Sequence, residues 1–212
     1  SYLPISAGLA FKEDLIQVKA IADPDTKDKN KWYSEEGLTG KDLKKFAPNG
    51  KPLAYLCSNF NLKPLIDLMQ KQEDFNEGVE EMADELNLKK DDIFNMFNGK
   101  GIISLTNVIE GSEFSQPKPE MIASFGIKNM ESFDKLYSFI NIRNNTSNNG
   151  IYVIPGMGNQ IGYTKSSDAL FISTNHSYLS DMQEKANWSQ LKEDCGKEIV
   201  EKNPLVFYID LK

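Results

Sequence analysis

Histidine occurs once in these 212 residues, at His176, arginine once, at Arg143, and cysteine twice, at Cys57 and Cys195. Each scarcity removes a class of chemistry. A lone imidazole excludes a His-ligated zinc site of the usual kind and a two-histidine acid/base pair. A serine triad would have to use His176 as its base, yet that residue stands beside Asn175 at a helix-start signal, and no nucleophile-elbow motif occurs anywhere. The two cysteines are too far apart for a C-x-x-C redox pair. They could form one disulfide outside the cytoplasm, whereas Cys57, inside an apolar strand run, reads as a free buried thiol. With a single arginine and a net charge of −7, the chain lacks the clustered cations that track nucleic-acid phosphates. Apolar runs also stay well short of the roughly 18 residues a spanning helix needs, so any membrane attachment must come from something outside this sequence.

What is present is ample core material. Hydrophobic residues make up 40% and aromatics 10% of a chain long enough for one large domain or two small ones, and the acidic surface favours solubility. Residues 149–182 organise the rest: three short runs rich in Ile, Val, Tyr and Phe, separated by Gly/Pro and Ser-Ser-Asp punctuation, predict a strand meander, with a helix starting at Asn175. The grammar of strand, Asn cap and amphipathic helix occurs three times, at 53–69, 122–140 and 170–182. Asn61, Asn129 and Asn175 are the caps, and the expected core faces are Leu65, Leu68 and Met69, then Phe133, Leu136, Tyr137 and Ile140. A further amphipathic helix carries Phe75, Val79, Met82, Ala83 and Leu86 on one side and Glu77, Glu80, Glu81, Asp84 and Glu85 on the other, a solvated face by its position opposite the apolar stripe. A helical turn is expected at 92–97 and strands at 51–58, 102–109 and 121–127. Helical spacing over 13–22 predicts a helix, although Leu15, Ile16 and Val18 would also suit a strand. Trp188, Leu191, Cys195 and Ile199 are spaced for one more helix, leading to a last strand at 204–211 that is apolar on both faces and should pair within the sheet.

Motifs that imitate sites do not survive comparison with the chemistry they would need. Asp23, Asp25 and Asp28 lie in a charged loop, but Lys27 falls where a calcium loop needs an oxygen ligand. Gly156, Gly158 and Gly162 nearly spell a dinucleotide fingerprint, with the last glycine one position late and a strand following in place of a helix. Four Asn-x-Ser/Thr acceptor patterns, at Asn144, Asn145, Asn175 and Asn187, arise easily in so Asn-rich a sequence. Pro52-Leu-Ala-Tyr-Leu is similar to Pro204-Leu-Val-Phe-Tyr, a pattern that either marks the seed of a repeated unit or reflects convergent strand chemistry.

Asn98-Gly-Lys-Gly-Ile-Ile-Ser-Leu, the strand Met121-Ile-Ala-Ser-Phe-Gly-Ile-Lys-Asn running into the Phe133 helix, and Ala169-Leu-Phe-Ile-Ser-Thr-Asn before a helix resemble a family of uncharacterised cell-envelope lipoproteins from Bacteroides and its relatives, catalogued as domain of unknown function 4836. The resemblance covers residues 98–182 and implies a longer parent protein, export through a lipoprotein signal, a lipid anchor in a preceding segment, and no assigned activity. Opening at Ser1 and closing on a strand are likewise expected of a fragment.

The fold expected is α+β, a mainly antiparallel sheet with amphipathic helices packed on one face. Residues 1–202 should form a single domain, irregular over 1–50, and 203–212 a strand that could begin a second related unit. The function expected is that of a non-catalytic exported envelope protein with a binding or structural role, using the sheet face or the loops at 110–119 and 155–159. Its partner would be a protein or small ligand of the envelope, with no nucleic acid, no cofactor, no metal and no catalytic residue assigned. A hydrolase using carboxylates alone is the alternative.

Overall fold

The computed structural model describes residues 5–12, 15–22, 32, 34, 36–47, 52–111, 116–143, 147–154, 161–183 and 197–209. Strands β1 (Ile5–Lys12) and β2 (Leu15–Ala22) form a two-stranded ribbon. Helix α1 (Gly40–Phe46), strand β3 (Ala54–Asn59) and helices α2 (Leu62–Met69), α3 (Glu73–Leu86) and α4 (Lys90–Phe94) lead to the central strands β4 (Phe97–Ile109) and β5 (Lys118–Ile127). After these come α5 (Met130–Arg143), β6 (Ser147–Asn148), β7 (Ile151–Val153), β8 (Gly162–Lys165), β9 (Ala169–Ser173), α6 (His176–Gln183), α7 (Lys197–Lys202) and β10 (Leu205–Ile209). Eight strands pair in the order β10-β3-β4-β5-β9-β8-β7-β6, every ladder antiparallel, which makes the chain an α+β protein with an antiparallel sheet.

Local chemistry places the helix starts. Asn61, Asn129 and Asn175 each accept a hydrogen bond from a backbone amide of the first turn, those of Lys63 (3.2 Å), Ser132 (3.2 Å) and Ser177 (3.0 Å). An uncapped turn would leave those amides without an intrahelical partner. Thr39 and Asp42 cap α1 reciprocally. Asn149 and Gly150 have φ of 52° and 76°, the left-handed pair that a tight two-residue hairpin requires, and they close β6 onto β7.

Because side chains alternate across a strand, the register divides the sheet into two faces. On the first lie Tyr55, Cys57, Ile102, Ile122 and Phe171, packed in one core with Leu43 and Phe46 of α1, Leu179 and Met182 of α6 and Val200 of α7. Ser104 and Ser124 are fully buried on this face, and their small side chains let α1 settle close to β4 and β5. The second face carries a continuous cross-strand row: Phe207, Leu56, Ile103, Ala123, Ile172, Tyr163 and Tyr152 are successive register partners from β10 to β7. Its far end is covered by Phe133 and Tyr137 of α5, with Met96 and Ile127 in the same core, and α3 and α4 lie against α5. The sheet therefore carries helices on its second face as well as its first.

Several expectations need correction. Residues 15–22 are a strand: Leu-Ile-Gln-Val-Lys-Ala-Ile-Ala fits both periods, and pairing with β1, which sets Leu9 opposite Val18 and Phe11 opposite Ile16, selects the extended one. The turn expected at 92–97 begins earlier, as α4, and Phe97 already belongs to β4. In α2 only Pro64 is buried, and Leu65 and Leu68 are exposed because no described element covers that side. Val79, Ala83 and Leu86 are buried as expected, whereas Phe75 and Met82 are half-buried. Ile140 and Ile199 are exposed. The charged loop at 23–31, the turn at 48–50, Asn144, Asn145, Gly156, Gly158, Asn187, Trp188, Leu191 and Cys195 lie outside the described residues.

Gly162 is required for a packing reason. A Cβ there would come within 2.8 Å of the His176 ring, closer than Cβ atoms of folded proteins approach a neighbour, and would lie tightly at 3.0 Å from Leu179. Gly162→Ala is expected to destabilise the protein by about 1–3 kcal/mol in denaturant unfolding, as overpacking does. Adding His176→Ala should recover part of that loss, and strictly additive effects would show that the ring is not the obstacle.

Candidate interaction surface

Among the described residues the reactive side chains are dispersed. His176 opens α6 with its ring against Gly162, and its Nε2 is buried without a hydrogen-bond partner among the described residues. No serine hydroxyl among the described residues donates to it. Cys57 is buried and free, and desolvation pushes its thiol up to about 12, far from the thiolate a nucleophile needs. No group of three or more His, Cys, Asp or Glu side chains among the described residues could hold a metal ion. The acidic side of α3 is exposed as expected, and Glu80 accepts a hydrogen bond from Lys90 at 2.7 Å. Glu120 accepts hydrogen bonds from Asn175 (2.7 Å) and Asn107 (3.0 Å), tying the α6 cap to the irregular pairing where β4 meets β5 beyond Leu105. Lys45 pairs with Asp168, and Lys165 pairs with Asp134 while its Nζ lies 4.9 Å from the centroid of the Tyr137 ring. Burial, reinforced by the neighbouring Tyr152 and Tyr163, pushes the Tyr137 hydroxyl up to about 12 against opposing hydrogen bonds with Thr164 and Asn141.

Asp42 is the described carboxylate most removed from solvent. Burial would raise its pKa, but hydrogen bonds from Lys100 (2.8 Å), the Thr39 hydroxyl (2.7 Å) and the Thr39 amide (2.9 Å), with the Lys100 charge, outweigh it and hold the carboxyl below its ordinary value of 3.8. This links α1 to β4.

The remaining feature is an area of uncovered sheet. On the second face, beyond the reach of α5, Phe207 is 51% exposed, Ile209 41%, Leu205 38% and Met121 38%. Between them lie the half-buried Leu56, Ile103, Leu105, Ala123 and Phe125, so four adjacent strands, β10, β3, β4 and β5, present apolar side chains with no charged residue among them. Four strands about 4.8 Å apart and five residues deep at about 3.4 Å each give a floor of about 300 Å². That matches the apolar patches that are often functional on monomers, and it is well under the roughly 800 Å² a standard protein interface buries per partner. The sequence led to an expectation of binding through the sheet face, and the register shows which part of that face is uncovered. The signal lay in the doubly apolar run from Leu205 to Ile209, whose exposed side only the register reveals. Of the two loops also named, 112–115 and 155–160 lie outside the described residues.

The Asp42 geometry has a pH signature. A carboxyl with a lowered folded pKa contributes stability that is complete above its ordinary value of 3.8 and is lost as the pH falls through the lower folded value. Asp42→Asn is therefore expected to cost about 1–3 kcal/mol near neutral pH in urea melts, and the gap to the parent should close as the pH falls below 3.8. A gap independent of pH would assign the loss to packing alone.

No family model, curated protein or solved structure matches the chain.

Proposed function

We propose that this chain is a non-catalytic binding protein of the cell envelope, which takes an uncharged apolar segment of a partner onto the open face of β10, β3, β4 and β5. The observation that carries this reading is the exposure of Phe207, Ile209, Leu205 and Met121 side by side on one sheet face. Such a face loses free energy to water in proportion to its area, about 25 cal/mol per Å², and regains it only when covered. Its size suits a short apolar segment, a helix or an extended peptide, better than a broad protein surface. The commitment of Asp42, Glu80, Glu120, Asp134 and Asp168 to caps and ion pairs supports binding over carboxylate catalysis. The envelope compartment rests on the resemblance to the Bacteroides lipoproteins, with a lipid anchor on a segment outside these 212 residues. No helix among the described residues is long and apolar enough to cross a membrane.

Two measurements test this. Combining Phe207→Glu with Met121→Glu should abolish most of the fluorescence of bound anilinonaphthalene sulfonate while shifting unfolding free energy by no more than about 0.5 kcal/mol, as for surface sites. A loss above about 2 kcal/mol would mean that the folded protein buries this face itself. Labelling the full-length precursor with palmitate in cells should place it in the membrane fraction, and an unlabelled cytosolic product would overturn the compartment.

A further inference from the structure

Two incomplete features lie side by side in the fold. The first is the outer edge of β10. Asn59 donates its amide to the carbonyl of Pro204 at 2.7 Å, and hydrogen-bonded pairs alternate from there along the antiparallel ladder. The amides of Val206 and Tyr208 therefore turn towards β3, and those of Leu205, Phe207 and Ile209 turn outward. Leu-Val-Phe-Tyr-Ile contains no charge, proline or bulge, the devices that ordinarily guard an open edge. The opposite edge is guarded: β6 is two polar residues closed by a tight turn. The second feature is the β1–β2 ribbon, which pairs with no other described strand, and an isolated two-stranded hairpin is marginal in water. β2 lies against β10, with Cα atoms within 8 Å of one another, yet the two form no ladder.

We propose that β2 adds to β10, so that the N-terminal hairpin of the chain occupies the open edge and the eight-stranded sheet becomes ten-stranded. Strand addition draws its affinity from main-chain hydrogen bonds, and here both partners need them. At eight residues, β2 is long enough to span all five of β10. Held on the same chain, the hairpin meets the edge at high effective concentration and excludes foreign strands from it. This inference concerns the edge of the sheet and stands independently of the apolar face.

Amide hydrogen exchange on the intact chain tests it. The Phe207 amide, which turns away from β3, should be protected to within about tenfold of the Tyr208 amide, since both would be laddered. Val18→Pro removes a donor from β2 and suits no interior strand, so it should speed Phe207 exchange by about 100-fold or more while the amides of Tyr208 and Ile122 keep their protection. Free exchange of Phe207 in the intact chain, or unchanged protection in V18P, overturns the proposal. Protection that grows with protein concentration assigns the edge to a second copy and overturns it equally. Should V18P fail to fold, seen as lost protection at Ile122, cross-strand proton contacts between β2 and β10 in the parent decide the matter, and their absence overturns it.

Discussion

The register between β4 and β5 is the constraint on which the rest of the structure depends. Their ladder sets Ile103 opposite Ala123 and Leu105 opposite Met121 on one face, and Ile102 opposite Ser124 and Ser104 opposite Ile122 on the other. A slip of one residue would exchange the two sets. The serines beneath α1 would then be replaced by larger side chains, and the helix could not lie as close to the sheet. Because β3 and β9 pair outward from these two strands, and β10 and β8 outward from those, every later side chain inherits its face from this central pair.

Much of the architecture was legible because it is set by short-range chemistry. An asparagine ahead of an apolar stripe caps a helix wherever it stands, and all three caps are where the residues put them. The three runs between Ile151 and Ser173 become strands because turn punctuation separates them. Illegible features depend on contacts distant in sequence. The run from Leu15 to Ala22 satisfies a helical and an extended period alike, and only the facing strand decides. Leu65 and Leu68 have helix-core spacing, but spacing cannot say whether anything arrives to cover them. The row from Phe207 to Tyr152 joins residues of seven strands, and no local window contains it.

The division of the second face into covered and open ends follows from the same row. At its far end the tyrosines stack with one another, ring centroids 5.7 Å apart for Tyr152 and Tyr163, and Tyr137 of α5 meets both edge-on. Tyr163 also donates its hydroxyl to Asn141 at 2.7 Å. Polar tips and rings together fix α5 in place. At the near end the row is aliphatic apart from Phe207 and offers no such directional anchor, so a partner there is held by area alone and can slide or turn until its shape fits.

The pairing of β3 with β10 also bears on how the chain emerges during synthesis. Ser58 lies opposite Leu205, almost 150 residues later, so β3 must wait for the last described strand before its outer ladder can form. At about 5–20 residues per second, that interval lasts roughly 7–30 s. Throughout it, Tyr55 lacks the ring of Tyr208 that later stacks on it at 4.9 Å, and the nascent sheet exposes the apolar strand Ala54–Asn59 at its margin. A holdase that recognises short apolar strands would find its binding site on β3 during those seconds, and the arrival of β10 would end its tenancy.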